Sequence, residues 1–166
     1  MAGAVRVSPA ARVLLVVGAV VLLLSLFLVP WFTVTGARAE LPAGTYTGVG
    51  TTELLNDLAK GPWAWIAFAW FLVSAIAAIA VAAVGRRTHN LGTSGILVLV
   101  LYAILLLVAA NLVNQQASGA NAGIGFEYGF VAAVVGSALI EAGSRFPVPA
   151  PMKPGVPAEE VGRDRA

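Results

Sequence analysis

GFEYGFVAAVVGSALIEAGSR, residues 125–145, is the stretch on which the architecture turns. Its length and apolar content read as a helix that crosses a membrane, yet it carries two carboxylates, Glu127 and Glu141. Thirteen residues separate them, about 20 Å of helix, so as one helix both acids fall inside the span, about one turn from each end. With the centre near Val134, each Cα lies about 10 Å from the midplane, against a half-thickness of about 15 Å. The cost of an ionisable group falls toward the interface. A proton path needs an acid far deeper than this.

Direction carries more information than depth. At about 100° per residue, Gly125, Gly129, Ala132, Gly136 and Gly143 share one stripe, a small-residue seam of the kind that lets helices approach closely. Glu127, Phe130, Val134 and Glu141 lie on the opposite face. Three arrangements follow. The seam packs on the chain's own helices and the acids point outward, Glu141 pairing with Arg145 four residues on and Glu127 reaching the outer surface or the polar cluster of Asn111, Asn114, Gln115 and Gln116. Or the acid face docks a partner helix. Or the acids face the bundle and the seam makes a homodimer.

The rest of the chain supplies the context. Of 166 residues, 59% are hydrophobic and 11% charged, outside the range of an ordinary soluble domain. The apolar residues are gathered into blocks at 13–32, 62–84, 91–113 and 124–144, each about as long as a membrane span. The basic residues are distributed unevenly. Arg6, Arg12, Arg86, Arg87, Arg145, Lys153, Arg163 and Arg165 flank one set of block ends, and only Arg38 and Lys60 flank the other, eight against two. Lysine and arginine mark the cytoplasmic side, so both termini are expected there. The bias to Ala, Val, Gly and Arg over Ile and Lys points to a high-GC bacterial genome, and hence to the cytoplasmic membrane of a bacterium. The expected organisation is a cytoplasmic N-terminus (1–11), helix one (12–32), an outer loop (33–61), helix two (62–84), a cytoplasmic turn (85–90), helix three (91–113), a short outer loop (114–123), helix four (124–144) and a disordered, proline-rich cytoplasmic tail (145–166).

A signal peptide is the competing reading of the first block, because Ala37-Arg38-Ala39 fits cleavage after Ala39. The apolar core from Val13 to Val29 exceeds the roughly 7–15 residues of such a region. It then continues into Trp31 and Phe32, and a retained helix is expected. Trp31, Trp63 and Trp65 read as interfacial anchors, as do Arg86, Arg87 and Arg145. Trp70 falls on the same helix face as Trp63.

The outer loop holds two threonine-rich runs, TVT at 33–35 and TYT at 45–47, separated by Gly and Pro, which predict a small hairpin. Thr52 is expected to cap a short amphipathic helix from Glu53, with Leu54, Leu55 and Leu58 on one side and Lys60-Gly61-Pro62 as its stop. It lies either on the bilayer surface or packed on the hairpin.

Chemistry-bearing patterns are sparse. The chain has no cysteine and one histidine, His89, which excludes disulfides and thiolate metal sites. No metal site, cofactor site or nucleic-acid surface is expected. Gly48-Val-Gly50 lacks the strand and third glycine of a dinucleotide loop. Ser25, Ser74 and Ser137, the polar residues of the central turns, are expected to bond to carbonyls of their own helices. Pro151, Pro154 and Pro157 make a PxxPxxP tail pattern that docks grooves in other settings.

The Pro-Trp-aromatic step of PWF at 30–32, the outer loop, the Trp-led second helix and GFEYGFVAAVVG resemble small uncharacterised four-helix (tetraspan) integral membrane proteins of actinobacteria. The likeness covers residues 10–145 and implies a layout, with no activity attached. Animal tetraspan junction proteins share that layout but carry a cysteine pair in the outer loop that is missing here. The sequence therefore predicts an all-α, four-transmembrane-helix bundle. Its expected role is a non-enzymatic accessory or assembly component, with the lipid bilayer and a membrane-protein partner or second copy as its contacts. A subunit of a small oligomeric transporter or channel is the alternative.

Overall fold

The computed structural model of the chain describes residues 7–36, 41–85, 91–116 and 123–145. Within them the order is α1 (Pro9–Phe27), β1 (Pro30–Thr35), β2 (Gly44–Thr47), α2 (Gly48–Ala59), α3 (Trp63–Val84), α4 (Leu91–Gln116), β3 (Gly123–Phe126) and α5 (Tyr128–Arg145). The four long helices run alternately up and down, and the strands and α2 gather at one end. The tail after 145, the Ala37–Ala39 step and the turn with Arg86, Arg87 and His89 lie outside the described residues.

Three helices, α1, α3 and α4, are long and apolar enough to cross a membrane. Their outward faces are apolar: Val13 is 61% exposed, Ile66 63% and Leu97 65%. Such a surface is a liability in water and an ordinary boundary against lipid tails. The inward faces are equally apolar, with Leu15, Leu22, Phe71, Ala75, Leu99, Leu106 and Ile140 closed off from solvent.

Local chemistry sets the ends. Ser8 caps α1, its Oγ accepting from the Ala11 N–H (3.2 Å), and Pro9 opens the helix, where a missing N–H is harmless. The α1 helix stops at Phe27, and residues 30–32, expected to continue it, begin a strand instead. Pro30 cannot donate to a helix and is tolerated as the first residue of a strand, and the β-branched run Thr33-Val34-Thr35 favours extension.

The TVT and TYT runs do pair, β1 with β2 antiparallel. The third strand was not expected: β3 lies on the other side of β1, giving the order β2-β1-β3. The chain is therefore mainly helical with a small sheet rather than all-α. The helix expected over 124–144 starts at Tyr128, because Gly123–Phe126 is taken up by β1. Gly125 is a strand residue, and Glu127 lies just before the helix rather than within it.

The short helix also starts earlier than expected. Its cap is Thr47, whose side chain accepts from Gly50 N–H (3.3 Å). Thr52 sits inside the helix and bonds back to Gly48 O (2.9 Å). The stop uses Lys60 itself in the left-handed region (φ 50°), ahead of Gly61. Leu54 and Leu55 are buried against the bundle, so α2 packs across the helix ends.

The most extensive helix contact is between α1 and α5. A Cβ added at Gly18 would lie 2.7 Å from Gly136 O, and one at Gly136 would lie 2.8 Å from Leu22 N. Gly143 and Gly129 meet the Ala11 and Pro30 carbonyls just as tightly. With these backbones in contact, a side chain has no room. Gly136→Val should therefore lower stability by about 1–3 kcal/mol through overpacking, read as a fall in the unfolding midpoint in detergent. Ala138→Val, on the exposed face of α5, should leave the midpoint in place.

Candidate functional site

The sheet end of the bundle is where the sequence's most distinctive residues converge, and β1 organises it. Opposite β1, Pro30 pairs with Thr47 and Phe32 with Tyr46, so Trp31 is one residue too many for its partner strand. Such a bulge re-aims a side chain. Here it lets Trp31 and Phe32, adjacent in sequence, both turn inward and be buried.

Trp31 was expected at headgroup depth; it is instead fully buried. Its ring meets Phe71 of α3 edge-on (centroids 5.9 Å), Tyr102 of α4 (6.2 Å) and Phe130 of α5 (6.2 Å). Its indole Nε1–H donates to Ser25 O (2.8 Å). That carbonyl lies in the last turn of α1, where helix carbonyls lack intrahelical donors, so one bond satisfies two buried groups. Gly48, at the start of α2, is held so close that an added Cβ would lie 3.1 Å from the indole.

Beside it lies a polar cluster under α2. The Tyr102 hydroxyl donates to Ala64 O (2.6 Å) and sits 3.2 Å from Thr52 Oγ1. Asn56 Oδ1 accepts from Ala64 N–H (2.8 Å), tying α2 to the start of α3. Thr51 Oγ1 and Asn56 Nδ2 are buried without a partner. The sequence offered one signal for this cluster, a lone tyrosine in the aliphatic run LVLVLYAILLLV.

Above the cluster a groove of ≈470 Å³ opens between β2 and α2, with Leu54 and Leu58 as floor and Glu53, Asp57 and Lys60 around it. Glu53 and Asp57 share it, because one helical turn separates them. Among the described residues no three His, Cys, Asp or Glu side chains gather as a metal site would require. The arrangement offers mixed charge around an apolar base, which suits recognition of a surface.

The two acids of the opening stretch have separate roles. Glu127 Oε1 accepts from Thr33 Oγ1 (2.7 Å), and its backbone N–H continues the ladder to Trp31 O (2.9 Å). Its side chain and its amide both bond to β1. Glu141 lies at the far end of α5. Its Oε2 accepts from the N–H groups of Gly92 (3.1 Å) and Thr93 (2.9 Å), and its Oε1 pairs with Arg145. A carboxylate on the first turn of α4 is favoured by the helix dipole and fills orphan donors.

The α5 helix lies between α1 and α4, so its glycines pack on the chain's own helices and Glu141 pairs with Arg145, as in the first arrangement drawn from the sequence, but Glu141 turns toward α4 instead of outward. Gly136 and Gly143 meet α1 and Gly129 meets the Val29 and Pro30 carbonyls just beyond it, while Glu141 meets α4. Phe130 and Val134 pack against the core, and Ala132 is half-buried. The exposed stripe of α5 is Tyr128, Val131 and Val135. Trp63, Trp65 and Trp70 are exposed on α3. Ser25 Oγ donates to Leu22 O (2.7 Å) as expected, but Ser137 Oγ is buried against Gly95 without a partner.

Truncating Trp31 to Ala should destabilise the protein by about 3–5 kcal/mol, and Trp31→Phe by less, measured as unfolding in a mixed-micelle titration. Glu141→Ala should lower stability by about 0.5–2 kcal/mol through loss of the cap. Glu141→Gln, which keeps an acceptor for Gly92 and Thr93, should lose less. No family model matches the chain, and neither does any curated protein or solved structure compared with it.

Proposed function

We propose that the chain is a four-pass protein of a bacterial cytoplasmic membrane, both termini inside, that serves as a non-enzymatic accessory or assembly component of a membrane complex. Its sheet end, facing outward, is the recognition surface. The helix α5 is the fourth crossing in this reading. Its 18 residues reach about 27 Å against a hydrocarbon core of about 30 Å. Its acid near the inner end is satisfied by α4 and Arg145, and β3 continues the chain above its outer end. The eight-to-two split of basic residues supports the orientation. The burial of α1 through Leu15, Ala19, Leu22 and Leu26 supports a retained first helix.

One contrast carries the assignment to recognition rather than transport. The middle of the bundle is filled by apolar side chains and by helix backbones in contact, leaving no polar lumen among the described residues. The sheet end, by comparison, presents features that a partner can use. Strands β2 and β3 are both sheet edges, and open edges pair readily with other chains. Beside β3, Phe126 is exposed and Tyr128 is 85% exposed, and aromatic residues are enriched at interfaces.

The test combines a photo-crosslinking amino acid with a flux assay. Probes at Tyr128 and Asp57 should give protein adducts in native membranes, while a probe at Leu101, on the aliphatic face of α4, should give lipid adducts. Purified protein in liposomes should pass no ions. Ion flux together with absent adducts at the sheet end would replace this reading with a subunit of a small oligomeric transporter or channel.

A further inference from the structure

At the end of the bundle opposite the sheet, α1 and α3 diverge enough to leave a groove of ≈410 Å³, within the size range of about 300–1,000 Å³ typical of small-molecule sites. Val13, Val16 and Val17 form one wall, Ile79 and Ala83 the other, and Arg12 closes the end. The groove exists because the inner half of α3, SAIAAIAVAAV, is built largely of alanine, which leaves the branched side chains of α1 without opposite numbers. In water this concavity would stay uncovered. In a bilayer it is filled by an acyl chain.

The position of Arg12 adds a chemical preference. It lies one turn into α1, its guanidinium over Gly85, where an added Cβ would come 2.7 Å from Nη2. Gly85 caps the end of α3, and its carbonyl already accepts from Val7 N–H (3.1 Å). Among the described residues the one ion pair joins Glu141 to Arg145, and the first turn of α1 holds no acid. The positive end of the α1 dipole and a five-donor planar cation thus sit at the mouth of an apolar trough, with no carboxylate paired to the guanidinium among the described residues. Arg86 and Arg87 follow Gly85 directly in the sequence.

We propose that this groove binds one anionic glycerophospholipid, its phosphate on the Arg12 guanidinium and one acyl chain between α1 and α3. The site rests on the chain being embedded in a membrane, and it is independent of the role proposed for the sheet end.

Native mass spectrometry of the full-length protein in detergent, with equal phosphatidylglycerol and phosphatidylcholine of the same chains, tests it. The first bound lipid should favour phosphatidylglycerol roughly fivefold, as expected for one basic side chain at a membrane surface. Arg12→Gln should bring the ratio near one, Arg12→Lys should keep part of it, and Ala83→Leu should reduce adducts of both lipids by narrowing the trough. A phosphatidylglycerol with a diazirine in its acyl chain should label residues 13–17 and 79–83. Equal binding of the two lipids, a preference that survives Arg12→Gln, or labelling concentrated on Leu101 and Ile104 of α4 would each overturn the site. Membrane embedding and the sheet-end reading would stand in each case.

Discussion

The indole of Trp31 stands where all five helices meet the sheet. Its N–H takes the free carbonyl of Ser25 at the end of α1, its ring is flanked by Phe71, Tyr102 and Phe130 from α3, α4 and α5, and Gly48 lets α2 begin directly against it. Much else is conditional on this placement. The bulge that turns Trp31 inward also sets the register of β1 with β2. The carbonyl of Trp31 then receives the amide of Glu127, which positions the first turn of α5. A donor buried at this depth requires an acceptor, and the end of a helix is one of the few places where a backbone carbonyl stands free.

The opposite end is fastened by different chemistry. Glu141 joins the start of α4 to the end of α5 through two amides and Arg145. Between the two ends, cohesion comes from close packing rather than from polar groups: Gly18 on Gly136, and Gly92 so near α5 that an added Cβ would lie 2.2 Å from Ser137 O. Helices surrounded by lipid gain little from hiding apolar side chains, so van der Waals contact between backbones becomes the main attraction. That accounts for the glycines where α5 meets α1 and α4, beside the leucines and aromatic rings that fill the rest of the interior.

The positions of the apolar blocks were legible in the sequence because each is about as long as a bilayer is thick, and the hairpin was legible because TVT and TYT alternate across Gly and Pro. What was missed has particular causes. The β3 sequence, GIGF, is apolar and adjoins an apolar helix, so nothing local separates strand from span; the partner that makes it a strand lies about ninety residues earlier, at Thr33. Trp31 read as an interfacial anchor because Trp after a span often is one. Its burial depends on a bulge, which is a property of two strands and not of one. The helical projection placed Glu141 correctly relative to the glycines, but it assumed that a helix has one inward face. The α5 helix has two neighbours, so both faces are inward.

That geometry bears on how the protein meets its surroundings. The α5 helix spends its small residues on α1 and its acid on α4, leaving the stripe of Tyr128, Val131 and Val135 outward. Only the first of these has a polar tip, and it stands next to an open strand edge and an exposed Phe126. Below that level the outward residues of α1, α3 and α4 are almost all apolar, with aromatic rings such as Trp70 among the aliphatic side chains. On the reading proposed above, selectivity resides where apolar surface adjoins polar groups, at the two ends: the sheet with its groove at one, and Arg12 above the α1–α3 trough at the other. On that reading a bundle packed shut through its middle leaves recognition to its ends.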